Sequence, residues 1–184
     1  MESVVLRTER LVLSIPTGAD VDAITAACQD AAVQRYTTVP KPYARADATD
    51  FVRLVSEWWG EGSSTTWAIR HDDRFAGAVG LADIDDGVAD LGYWLAPDAR
   101  GRGIASEAVR GVVAWGFDGP LTLHRISWRA VVGNLGSAHT ARAAGFRYEG
   151  RMREAFRHGA HRDDAWIAGL LATDDRTPVD WPVL

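Results

Sequence analysis

The chain has 184 residues, 47% of them apolar, enough for one domain with a hydrophobic core of its own. A net charge of −5 argues against a basic nucleic-acid binder, and the single cysteine, Cys28, excludes an internal disulfide and a cysteine-ligated metal cluster. No apolar run approaches the ~18 residues of a membrane span, and Met1 to Arg7 lacks the basic-then-apolar design of a signal peptide, which together point to the cytoplasm.

Leu11 to Ile15 alternates as a short strand that Pro16 stops. Gly18 to Cys28 reads as a helix with Ala19, Ile24 and Ala27 toward a core, and Cys28 as a small core residue. Residues 36–46 carry Pro40 and Pro42 and read as a loop. Phe51, Leu54, Val55 and Trp58 give helical spacing from Asp47 to Trp59, closed by Gly60 and Gly62. Three strands follow, Thr65 to Arg70, Phe75 to Ala82 and Val88 to Leu95, joined by His71-Asp72-Asp73-Arg74 and Asp85-Asp86-Gly87. Turns this short predict an antiparallel meander.

The period then changes. Ile104, Ala108 and Val112, with Ala105, Val109 and Val113, predict a helix with one broad apolar face. His124 to Val132 is rich in strand formers, so strand–helix–strand predicts a right-handed parallel crossover. Ser137 to Ala144 reads as a short helix capped by Gly145. Phe146 to Phe156 and Arg162 to Leu171 read as a hairpin about His158-Gly159. The expectation is one α+β domain over residues 1–172, with about seven strands and about four helices, and an irregular tail over 173–184.

The segment from Tyr93 to Ala105 carries the chemistry. A strand ends, a turn follows, and a helix opens on Gly101 and Gly103. Glycines admit a ligand close to the backbone, and the first N–H groups of a helix lack partners and attract anions. Arg100 and Arg102 add charge. The same loop could be a bare glycine turn. It is not a Rossmann fingerprint, because Ser106 stands where a third glycine belongs, and it has no Gly-Lys-Ser/Thr of a P-loop.

Arg100, Gly103 and Ala105 match the acyl-CoA signature Arg/Gln-x-x-Gly-x-Gly/Ala, and here the chain resembles the Gcn5-related N-acetyltransferases (GNAT). Thr8-Glu9-Arg10-Leu11-Val12-Leu13, Leu91-Gly92-Tyr93-Trp94-Leu95 and Asn134-x-x-Ser137 before Gly145-Phe146 are similar to landmarks of the RimJ/RimL branch. The resemblance implies a mixed sheet whose fourth and fifth strands are parallel and splay apart. It implies pantetheine on the backbone of Trp94 and Leu95, pyrophosphate on Gly101, Arg102, Gly103, Ile104 and Ala105, and Asn134 on the far side of the arm. The co-substrate implied is acetyl-CoA, with no metal, and the acceptor a primary amine on a peptide N-terminus or a small molecule. A homodimer stays open.

Many relatives place a tyrosine where this chain has Ala141, so Ser137 becomes the candidate hydrogen-bond donor to the leaving thiolate, or else a helix cap. A glutamate base of other relatives is replaced by Arg129. Asp90 is the candidate base, ahead of Asp83, Asp85, His124, His139 and Glu149. Water or a partly neutral amine would need no base at all. Asp83 and the aromatic residues Tyr36, Tyr43, Trp58 and Trp67 are candidates for holding the acceptor. Two other readings stay open: a non-catalytic acyl-CoA-binding module, and a different donor such as succinyl-CoA facing Arg129.

The charge is unevenly spread. Residues 100–162 hold 11 of the 20 basic groups against the acids Glu107, Asp118, Glu149 and Glu154, a sum of +7 that leaves −12 elsewhere. A basic stretch carrying the glycine loop suits an anionic donor on one side and a cationic amine on the other.

Overall fold

The structure, a computed structural model, describes residues 1–158 and 161–184. The turn expected at His158-Gly159 falls partly outside the described residues. Eight strands form one sheet: β1 (Leu6–Arg7), β2 (Leu11–Ser14), β3 (Thr65–His71), β4 (Arg74–Asp85), β5 (Val88–Leu95), β6 (Arg125–Val131), β7 (Arg147–His158) and β8 (His161–Leu171). Their order is β1-β2-β3-β4-β5-β6-β8-β7. Every neighbouring pair is antiparallel except β5 and β6. The helices are α1 (Val21–Ala27), α2 (Ala31–Tyr36), α3 (Arg45–Glu61), α4 (Ile104–Asp118) and α5 (Leu135–Ala143).

This is the α+β fold that the sequence predicts, with one more strand and one more helix. β1 is two residues long, too short for a periodic signal. α2 has a local signal, because the Asp30 carboxylate accepts from the N–H groups of Ala32 and Val33 as an N-cap. The meander turns obey ordinary chemistry. Asp72 and Asp73, then Asp86 and Gly87, take positive φ, which is what two-residue hairpin turns require.

α4 buries Ile104, Ala108, Val109, Val112, Val113 and Phe117 in the core. Gly116 lets it close on the sheet: a Cβ there would stand 3.1 Å from Leu81 and 3.3 Å from Ile126. Beside it, Trp59, Trp67 and Trp115 pack with ring centroids 4.9–5.8 Å apart. Residues 173–184 form no helix or strand, yet Trp181 is buried, donates its indole N–H to the Phe146 carbonyl and packs on Trp128.

The decisive feature is where pairing stops. β5 and β6 pair from Val88↔Arg125 to Leu91↔Trp128 and no further. β5 stays on β4 as far as Leu95↔Gly77, while β6 stays on β8 as far as Val131↔Ala165. Each strand follows its outer neighbour, so the two diverge. Gly77 is required for this: with φ +152, a Cβ there would fall 2.2 Å from the Trp94 carbonyl oxygen. Past Leu91, the backbone groups of β5 aimed at β6 have no ladder partner.

Candidate active site

The divergence opens a cleft of about 770 Å³. One end is the loop between β5 and α4. Gly101 and Gly103 have φ +71° and +74°, a conformation that glycine adopts at little cost. Gly103 is the N-cap of α4 and supplies no side-chain acceptor, so the first N–H groups of the helix are left for a ligand. Gly101, Gly103, Ile104 and Ala105 line the cleft. Arg100 also lines it, held to Asp30 at 2.6 Å and to the Leu95 carbonyl at 3.1 Å. The Arg100 guanidinium, with the α2 N–H groups, holds the Asp30 carboxyl below its ordinary range. Arg102 is exposed and its side chain does not line the cleft, which leaves its backbone N–H as its part of the loop.

The middle of the cleft is where β5, β6 and α5 meet. Trp94, Leu95, Asn134 and Ser137 all line it. Asn134 is the N-cap of α5, accepting from the Ser137 N–H at 3.3 Å, so capping falls to the asparagine and the serine hydroxyl is left for other work. Ser137 Oγ accepts from Trp128 Nε1 at 3.1 Å and donates to Tyr93 Oη at 3.0 Å, while Tyr93 donates to the Ser137 carbonyl at 2.7 Å. Burial pushes the Tyr93 phenol well above its ordinary pKa, so it stays protonated. Tyr93 and Trp128 were not legible as site residues. Their only sequence signal is position, one on each strand next to the point of divergence.

The acceptor candidates separate. Tyr36 lines the cleft, with Thr37, Phe51 and Phe156. Trp58 and Asp83 do not; they line an adjoining pocket of about 590 Å³ that shares Thr66 and Ala82 with the cleft. Trp67 and Tyr43 are corrections. Trp67 is fully buried and donates to the Val4 carbonyl, and Tyr43 is buried in a second core cluster with Val21, Ile24, Cys28 and Val33. The same burial raises the Cys28 thiol to about 11. Asp90 is a correction as well. It sits on the paired part of β5, bound to Arg129, and does not line the cleft. Among the described residues no carboxylate lines the cleft, and none form a group able to hold a metal.

A parallel strand pair that parts beside an uncapped helix N-terminus offers an anion site next to an unpaired strand edge. Residues 10–147 match the model of the acetyltransferase (GNAT) domain, and the chain belongs to the GNAT acetyltransferase family. It is an acetyl-CoA-dependent N-acetyltransferase. Over 170 residues it is 28% identical to an uncharacterized N-acetyltransferase, p20, of Bacillus licheniformis, spanning 90% of this chain and 95% of that one. RimL, a ribosomal L7/L12 α-N-protein acetyltransferase solved with coenzyme A, superposes with TM-score 0.82 at 20% identity, over 91% of this chain and 98% of its own. RimJ of Mycobacterium smegmatis, solved with a CoA disulfide, gives TM-score 0.82 at 19% identity, over 92% and 87%.

Proposed function

We propose that this acetyltransferase acts on an α-amino group at a peptide N-terminus, by direct attack on acetyl-CoA in a ternary complex. One observation carries the reading: no carboxylate lines the cleft among the described residues. An amine must lose its proton to attack, and without a base the site depends on amines already neutral. An α-amine, with a pKa near 8, is about one-tenth neutral at pH 7, whereas a lysine or polyamine amine near 10.4 is neutral in well under ~0.1% of molecules. A polycationic small molecule would also find no counter-charge on the cleft wall. The RimL neighbour supports the reading, since it is an α-N-protein acetyltransferase.

Pyrophosphate would rest on the N–H groups from Gly101 to Ala105, and pantetheine on unpaired β5 backbone at Trp94 and Leu95. The amine nitrogen bonds to the acetyl carbonyl carbon, and the carbon–sulfur bond breaks. The amine proton leaves to water. The Ser137 hydroxyl turns from Tyr93 toward the departing sulfur and donates to it, steadied by the Trp128 N–H. Arg129 lines the cleft but is already paired with Asp90, which weakens the case for a carboxylated acyl donor. A cytoplasmic setting suits this use of acetyl-CoA.

Two peptides test the acceptor: one with a free α-amine and no lysine, one with a blocked N-terminus and a single lysine. Thiol release should favour the first by about a hundredfold, and kcat/KM should rise with pH and level off near pH 8. Equal rates on the lysine peptide or on spermidine would overturn the reading.

A further inference from the structure

Glu107 stands in the first turn of α4, its N–H bonded to the Gly103 carbonyl. A carboxylate there favours the helix itself, but it repels an anion bound at the same N-terminus. Both its oxygens are taken by a segment from the other end of the domain. Oε1 accepts from the Thr8 hydroxyl and the Arg10 backbone N–H, and Oε2 from Arg10 Nε, with Arg10 Nη2 also 2.7 Å away. The Glu107 side chain is only 11% exposed, so solvent screens it little. Those hydrogen bonds outweigh burial and hold the carboxyl ionised, below its ordinary range. The remaining Arg10 nitrogen, Nη1, donates to the Arg102 carbonyl at 3.2 Å, between the two positive-φ glycines. A Cβ at Gly103 would stand 3.5 Å from Arg10 Nη2, so the guanidinium lies directly against the loop.

We propose that Arg10 is a positioning residue for acetyl-CoA. By neutralising Glu107 and holding the Arg102 carbonyl, it keeps the N–H groups at the start of α4 facing the pyrophosphate, and it touches no substrate itself. This rests on the loop being the pyrophosphate site. It assigns a purpose to the Thr8-Glu9-Arg10-Leu11 run, which the catalytic site does not otherwise use.

The test is steady-state kinetics of the full chain with acetyl-CoA and with acetyl-pantetheine, which has no pyrophosphate. Arg10→Met should raise KM for acetyl-CoA about tenfold, with kcat, acceptor KM and acetyl-pantetheine KM within about twofold. Arg10→Met with Glu107→Gln should recover most of that loss. An equal rise with acetyl-pantetheine, or a fall in kcat alone, overturns the proposal. Gly103→Val separates it from the reading beneath it. If Gly103→Val weakens acetyl-CoA and Arg10→Met does not, the loop stands and the Arg10 role fails. If neither acts, the loop assignment itself fails. Should Arg10→Met not fold, Arg10→Lys keeps the charge and loses the fork; about a threefold rise in acetyl-CoA KM supports the proposal, and no rise overturns it.

Discussion

The two ends of the cleft are built by different means. At the end proposed for the donor the groups on offer are backbone: the freed N–H groups of α4, the unpaired edge of β5, and two glycines that let them approach a ligand. The side chains there, Ser137, Trp128 and Tyr93, hold one another in a closed set of hydrogen bonds. The part of the wall proposed for the acceptor is side chain, Tyr36 and Thr37 from the end of α2, Phe51 from α3 and Phe156 from β7. Fixed backbone groups suit a single constant ligand, whereas side chains on short or peripheral elements can be replaced to suit a different one.

Three substitutions sharpen that contrast. The largest effect should come from a residue that belongs to neither end. Trp67→Ala removes the centre of the tryptophan cluster and should cost about 3–5 kcal/mol of stability in thermal or urea unfolding. If it instead left stability intact and only changed acceptor preference, Trp67 would belong to the acceptor wall after all. Ser137→Ala comes next. Turnover should fall by about a hundredfold while KM for acetyl-CoA holds, and unfolding should show no more than about 1–2 kcal/mol for the Trp128 N–H left without an acceptor. An unchanged single-turnover rate would make Ser137 a packing residue and leave the donor end wholly backbone. The smallest effect is Asp90→Asn, which should change kcat by less than about threefold, because the carboxylate does not line the cleft itself and is taken up by its pair with Arg129. A loss above a hundredfold, with a shifted acid limb in the pH profile, would restore Asp90 as a base acting through water.

Much of the donor end could be read directly. Gly101 and Gly103 before a helix-period run announce an uncapped N-terminus, because both the glycine conformation and the apolar period are local. The meander was equally legible in its Asp-Gly and Asp-Asp turns. The acceptor end was not. Tyr36, Trp58 and Trp67 are aromatic residues of similar promise in the sequence, yet one lines the cleft, one an adjoining pocket and one the core. Nothing local separates them, since burial depends on which elements pack above each residue.

By itself, then, the sequence determined the order and type of the main elements, the glycine loop that opens α4 and the family, all of which follow from patterns within a dozen residues. Tertiary structure decided the rest. Divergence of β5 from β6 is set by the outer strands each one follows. The partners of Ser137 arrive from β5 and β6, 44 and 9 residues earlier in the chain. Arg10 reaches Glu107 across 97 residues. A hydrogen bond needs its two groups at about 3 Å, and only the folded chain brings residues so far apart to that distance.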